Sequence, residues 1–270
     1  MTATPAGGAR RVVITGAASG FGRAVATRLH EVGDAVALLD VDRDGLDALA
    51  GSLGARPGAP VVPHPCDVRS PASVRTAVEA AAAAFGGVDA LVVSAGVIHF
   101  KRLADVTEAD WDLTLDVNLK GAFLACQAVA PYVVESGRGR MVLISSDAGR
   151  RGAPNIQAYA ASKFGMIGLT ESLAAELAPA GVTVNAVCPV ACPTTGMGEQ
   201  VLAWKSETRQ IAPADVAAAA ARGNPLGRNA TEADVVGAIE FLLSDAASFL
   251  TGVALDIDGG LHLGSLPGMA

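Results

Sequence analysis

Aromatic residues are scarce in this chain: seven Phe, two Trp and two Tyr make up 4% of 270 residues. A core with so few rings must be filled by Ala, Val and Leu. Alanine runs at Ala80–Ala84 and Ala217–Ala221 favour helix and allow close packing. Positive charge is also in deficit. Twenty Lys and Arg against 27 Asp and Glu leave a net charge of −7, and no basic stripe runs along any segment. That argues against a nucleic-acid partner. Arg138-Gly139-Arg140 and Arg150-Arg151 read as short solvated loop clusters. The four cysteines, at 66, 126, 188 and 192, form no paired framework. Cys188 and Cys192 straddle Pro189 without His partners, so no metal site is expected. Free thiols suit a reducing cytoplasm. The first residues, MTATPAGGARR, lack the apolar core of a signal peptide. No apolar run reads as long enough to span a bilayer. The expectation is a cytoplasmic protein with no membrane partner.

What the chain does have is a regular rhythm. Apolar residues make up 51%, enough for one large α/β domain with a sizeable core. Strand candidates are Val12–Thr15, Ala35–Asp40, Val61–His64, Ala90–Ser94, Met141–Ser145, Thr183–Cys188 and Val253–Asp256. Helices fall between them, including a long one over Ala158–Ala178. The pattern predicts a Rossmann-type, doubly wound parallel sheet of about seven strands with helices on both faces. Residues 1–10 read as a flexible lead-in and 11–270 as a single dinucleotide-binding and catalytic domain. Only the stretch at about 192–224 breaks the rhythm, with Gly196, Gly198, Pro213 and Gly223. It reads as two short helices forming a lid over the carboxyl ends of the strands, where ligands bind. Its glycines favour rearrangement, and closure is expected to bring Met197, Val201 or Trp204 onto a substrate.

The run Arg11–Thr15 leads directly into TGAASGFG, Thr15–Gly22. Strand before and helix after give the glycines a purpose. Gly16 permits a tight turn. Gly20 and Gly22 let the backbone approach a pyrophosphate and let the helix pack on the sheet, its positive end facing the phosphates. The next strand ends at Asp40, eighteen residues beyond Gly22. A carboxylate there accepts hydrogen bonds from the adenosine ribose hydroxyls of NAD and repels the extra phosphate of NADP. Position 19 is Ser, not a phosphate-binding cation. Arg43 follows two acids and reads as a solvated helix-start residue. NAD is therefore the expected cofactor.

Tyr159 and Lys163 stand four apart in AYAASK, about one helical turn, so both project from one helix face. An ammonium beside a phenol favours the phenolate, which makes Tyr159 a usable proton acceptor. By itself such a pair is commonly a half-exposed helix pair. Downstream of a dinucleotide loop it points to proton transfer coupled to hydride transfer.

Together these residues resemble the classical short-chain dehydrogenase/reductases, over about Arg11 to Gly260. The motifs occur in the family's order: Thr15-Gly16-x-x-x-Gly20-x-Gly22, Asp67 in Cys66-Asp67-Val68, Asn118 in Asp116-Val117-Asn118, Ser146 thirteen residues before Tyr159, Lys163, and Asp256-Ile257-Asp258-Gly259-Gly260. The resemblance implies a catalytic tetrad of Asn118, Ser146, Tyr159 and Lys163. Tyr159 moves the proton, Ser146 holds the substrate oxygen, Lys163 depresses the Tyr159 pKa and holds the nicotinamide ribose, and Asn118 anchors a water linking Lys163 to solvent. It implies cofactor contacts from Gly16, Ser19, Gly20, Phe21, Gly22, Asp40, Asp67, Val68, Ser94, Ala95, Gly96, Tyr159, Lys163, Pro189 and Thr194. Asp67 would meet the adenine and Thr194 the carboxamide. It also implies a homotetramer through the fourth and fifth helices and the C-terminal strand region. Gly121, Ala122 and Ala125 would give one small-residue face, and Phe164, Met166 and Leu169 an apolar one.

Two positions depart from the family pattern. Ser94 stands where an Asn amide usually bridges strands, and Val190 where a Gly usually follows Pro189. A β-branched residue disfavours positive φ, so the turn there should differ. Ile98, His99, Phe100, Asp147, Arg151, Gln157 and the 197–205 segment are the expected walls for a small-molecule substrate. Among them Asp147, Arg151, Gln157 and Lys205 suit a polyol, sugar or hydroxy acid, and His99 is the first candidate for a further catalyst. The alternatives are a ketoreductase of acyl thioester or xenobiotic carbonyls, and a dinucleotide-sensing protein without turnover.

Overall fold

A computed structural model describes residues 9–54 and 59–264. Positions 1–8 of the expected lead-in and the last six residues of the expected domain lie outside the described residues. Seven strands form one parallel sheet in the order β3-β2-β1-β4-β5-β6-β7. They are β1 Arg11–Thr15, β2 Ala35–Asp40, β3 Val61–Pro65, β4 Ala90–Val93, β5 Arg140–Ile144, β6 Thr183–Pro189 and β7 Ala254–Ile257. All seven expected strands are present, with ends shifted by a residue or two. The order reverses between β1 and β4, which opens a crevice at their carboxyl ends.

Side-chain alternation along the strands divides the core into two. Val12 and Ile14 of β1 face α1 Gly20–Glu31, α2 Arg43–Gly54 and α9 Glu232–Leu243. Val13 faces α3 Pro71–Phe85 and α5 Gly121–Glu135, and the same cluster takes Met166 and Ala174 from α6 Gln157–Leu177. Ala, Val and Leu dominate both clusters, as the shortage of rings requires.

The basic clusters are not simply solvated. Asp89, 1% exposed, is gripped by Arg11 at 2.7 Å and Arg138 at 3.0 Å. Burial alone would raise its pKa, yet the two guanidinium groups hold it at about 2. Arg140 is buried at the start of β5, and Arg150 reaches Asp256 at 2.9 Å.

Between α4 Glu108–Leu115 and α5 lies a π-turn, Asp116–Lys120. The three segments make one continuous helix of 28 residues, Glu108–Glu135, which by length and composition is apolar enough to cross a membrane. This differs from the expectation. The acids and Thr of Glu108–Lys120 make the run look short, but unbroken helix carries it through. Gly121, Ala122, Leu124, Ala125, Val129 and Val133 are buried in this fold. Gly121 lies so close to Val68 that a Cβ would meet Val68 Cγ2 at 2.8 Å. The small-residue face therefore covers the sheet of its own subunit, and Met166 is likewise core. Trp111, Phe123 and Phe164 point outward instead.

Candidate active site

The glycine loop and the segment after β4 interlock at the switch point. Gly16 has φ +67°, and a Cβ there would stand 2.6 Å from the Ala95 nitrogen. A Cβ on Gly22 would stand 2.0 Å from the Gly16 oxygen. Both positions demand glycine for sheer proximity. Thr15, named in the glycine motif but given no role of its own there, does the bridging expected of the residue at 94. Its Oγ1 accepts from the N–H groups of Ser94 at 3.2 Å and Ala95 at 3.3 Å.

Ser19 caps α1 with extended backbone but no side-chain hydrogen bond, so the first-turn N–H donors keep their positive potential for a ligand. Asp40, at the end of β2, is fixed over this loop. Its two oxygens accept from Ala18 N–H at 3.0 Å and Asp42 N–H at 3.1 Å. A close-packed glycine cradle, an uncapped helix end and a held carboxylate in one crevice fit a dinucleotide. Asp67 fits less well. Its carboxylate is bound by Arg69 at 2.8 Å, so an adenine must compete with a guanidinium for it. Val68 is buried against Gly121.

The tetrad positions converge at the far side of the crevice. Ser146 is 7%, Tyr159 7%, Lys163 4% and Asn118 0% exposed. Lys163 Nζ lies 5.6 Å from the centre of the Tyr159 ring and donates to the Ile144 carbonyl at 2.7 Å. Here the structure corrects the expected electrostatics. Burial raises Tyr159 to about 12, against the pull of Ser146, while the Asp147 charge adds to the rise. Burial lowers Lys163 to about 8. Desolvation penalises both charged forms, and the hydrogen bond recorded for the Lys163 ammonium goes to a backbone carbonyl.

Asn118 sits in the π-turn with both amide donors used. Oδ1 accepts from Val97 N–H at 2.8 Å, and Nδ2 donates to Val97 O at 2.9 Å and to Ser162 Oγ at 3.0 Å. This side chain clamps the strand-β4 loop. Ser162, also missed, donates its O–H to the Tyr159 carbonyl at 2.7 Å. Its place beside Lys163 was the available signal. Ser145, similarly, donates to the Lys163 carbonyl at 2.9 Å. The Ser146 hydroxyl donates to Asp147 at 3.0 Å and accepts from Ala148 N–H.

The segment after β6 contains α7 Gly196–Arg209 and α8 Pro213–Gly223. Val190 extends the ladder through its N–H to the Ile257 carbonyl. Among the described residues, only Asn155 and Gln210 have positive φ outside glycine, so Val190 does not adopt a glycine-type turn. Nor is the following turn loose. Thr195 N–H and Oγ1 both bond the Cys192 carbonyl, and a Cβ on Gly198 would lie 1.7 Å from that same oxygen. Thr194 does not wait free for a cofactor: its hydroxyl donates to Glu232 at 2.7 Å. Trp204 of α7 stacks on Phe100, ring centres 4.6 Å apart at 11°. His99 bonds the Thr114 hydroxyl at 3.1 Å, which suits a wall residue. Among the described residues, no group of three or more His, Cys, Asp or Glu is placed to hold a metal.

Known proteins resemble this chain in sequence and fold. A family model described as enoyl-(acyl carrier protein) reductase matches residues 16–262. D-threitol dehydrogenase of Mycolicibacterium smegmatis is 40% identical over 251 residues, 92% of this chain and 91% of that protein. An NAD+-bound xylitol dehydrogenase superposes with a TM-score of 0.87 at 34% identity, covering 92% of this chain and 97% of the other. An actinorhodin polyketide ketoreductase with NADPH gives 0.88 at 31% identity, covering 94% and 97%.

Proposed function

The chain belongs to the short-chain dehydrogenase/reductase family, and from that premise we propose that it uses NAD to interconvert a secondary alcohol and its ketone. A polyol, sugar or hydroxy acid is the favoured substrate. The observation that carries the cofactor choice is Asp40. Its carboxylate is held on two backbone N–H groups over the glycine loop, where it accepts ribose hydroxyls and opposes a phosphate. The names of the threitol and xylitol enzymes support the polyol reading.

Bound NAD supplies the hydride acceptor, or in reduced form the donor. The rest falls to side chains of this chain. Gly16, Ser19, Gly20, Phe21 and Gly22 cradle the pyrophosphate, with Asp67, Val68, Ser94, Ala95, Gly96, Pro189 and Thr194 around the remainder. Tyr159 takes the alcohol proton, or returns it to a ketone. With its pKa raised to about 12, the resting residue is a phenol, set to act as an acid. Acting as a base requires help from a charge brought close to it. Lys163 is that charge once its ammonium leaves the Ile144 carbonyl. Ser146 turns its hydroxyl from Asp147 to the substrate oxygen. Asn118 holds the wall through Val97 and would anchor the water that links Lys163 to solvent.

We also infer that residues 192–224 act as a lid. The Phe100–Trp204 stack supports the reading, because it ties α7 to the segment after β4; a lid closed there would exclude water during hydride transfer. NADH absorbance, measured over secondary alcohols, polyols, sugars and hydroxy acids with either dinucleotide, tests the proposal. NAD should be preferred by about tenfold or more, roughly 1.4 kcal/mol, and Asp40→Ala should erode the preference. Equal or better turnover with NADP would overturn the assignment.

A further inference from the structure

Glu232 lies outside every motif of the sequence, yet its carboxylate sits at the root of the 192–224 segment. Its Oε2 accepts from Thr194 Oγ1 at 2.7 Å, with the Cys192 thiol 3.6 Å away. Cys192 is itself 3.3 Å from Thr194 Oγ1 and 1% exposed. Glu232 is not needed to cap its own helix. Thr231 and Asp234 form the capping box of α9, and Arg228 grips Asp234 with two bonds of 2.7 Å. The Glu232 side chain turns back to the root, where its own backbone N–H also holds it. The turn carrying Thr194 is closed by two hydrogen bonds from Thr195 to Cys192 O and by the tight seat of Gly198. Its backbone has little room to move, so the polarity of the Thr194 hydroxyl is what remains to be set.

A hydroxyl has one proton to give and lone pairs to receive with. An ionised carboxylate can only accept. While Thr194 donates its O–H to Glu232, its oxygen can meet a ligand only as an acceptor. We propose that Glu232 is a positioning residue for the cofactor: by fixing Thr194 as an acceptor, it selects a nicotinamide whose carboxamide presents its N–H. This rests on the reading that Thr194 faces the carboxamide. A site built to receive an N–H should discriminate against an analogue lacking one.

Binding, not turnover, tests it. Dissociation constants of the full chain are measured by fluorescence for NADH, for reduced 3-acetylpyridine adenine dinucleotide, whose methyl ketone has no N–H, and for ADP-ribose, which has no nicotinamide. The native protein should prefer NADH over the acetylpyridine analogue by about tenfold or more. Glu232→Gln adds a donor beside its acceptor, so Thr194 is no longer held to one polarity. It should reduce that preference to within about twofold, with ADP-ribose affinity changed less than twofold and an unchanged melting curve. Thr194→Val should abolish the preference, and Glu232→Gln on top of it should add nothing. A preference that survives Glu232→Gln overturns the proposal. So does an equal loss for ADP-ribose and NADH, which would mark Glu232 as structural. If the native protein bound neither NADH nor ADP-ribose, the cofactor reading would fall first, and this inference with it.

Discussion

Tyr159 should not ionise in the cofactor-free protein at any physiological pH. With a pKa of about 12, a phenol at pH 7.5 is ionised in roughly one molecule in 30,000, a cost of about 6 kcal/mol. An ammonium 5.6 Å from the ring centre offers about 3 kcal/mol at an effective dielectric near 20. That is about half the cost, and only while the ammonium is charged. Burial lowers Lys163 to about 8, so the charge fades as pH rises past that value. The chain has only two tyrosines, Tyr132 and Tyr159, which makes the test direct. Phenolate absorbance is followed against pH for the native protein and for Tyr159→Phe, and the difference reports Tyr159 alone. The difference should stay flat to about pH 10 and rise only above it. A step near neutrality, present in the native curve and missing from the variant, would refute the reasoning. It would mean that Lys163 alone activates the phenol.

Lys163 carries its own linkage. Its folded pKa of about 8 lies below the unfolded value of 10.5, so the unfolded chain binds the extra proton between them. Stability should therefore rise with pH across that window. Lys163→Met should lack the rise in melting curves. Tyr159 acts oppositely, removing stability between its unfolded value of 10.0 and about 12. Gly22→Ala forces a Cβ to within 2.0 Å of the Gly16 oxygen. It should cost roughly 1–3 kcal/mol or more in stability and most NADH affinity. Gly51→Ala, on α2 with nothing within 4 Å, should be neutral or stabilising by up to about 1 kcal/mol. In hydrogen exchange, residues 197–209 should gain protection when NADH and a substrate analogue bind. Strong protection without ligand, unchanged on binding, would contradict a lid. Sedimentation should show a tetramer that Phe123→Glu with Phe164→Glu dissociates, and a native monomer at micromolar concentration would refute it.

The sheet was legible because each strand is a short apolar run bounded by Gly, Pro or Asp. The glycine loop was legible because strand, turn and helix follow one another within a dozen residues. Ser146, Tyr159 and Lys163 were legible from their order. What escaped depends on contacts between segments. Glu232 is 38 residues from Thr194, and nothing in either stretch announces the other. Lys163 bonds a backbone carbonyl, which carries no residue signature at all. The ionisation of Tyr159 went the other way because spacing shows that two groups are neighbours. It does not show how deeply both are buried. Gly121, Ala122 and Ala125 read equally well as a subunit contact or as an internal seat. Only the position of Val68 against Gly121 decides.

The π-turn at Asp116–Lys120 has a consequence in the arithmetic of insertions. One extra residue in a helical turn changes the phase of everything after it by about 100°, and such bulges commonly sit at functional sites. Asn118 meets Val97 from within that misphased turn. Phe123 faces outward and Val129 inward on the far side of it. Deleting a single residue between 116 and 120 would therefore do two things at once. It would pull the Asn118 clamp from the loop, and it would rotate the whole of α5, turning core residues toward solvent and the exposed ring toward the sheet. Length in this stretch should tolerate less change than residue identity does, since a substitution perturbs one side chain and a deletion perturbs fifteen.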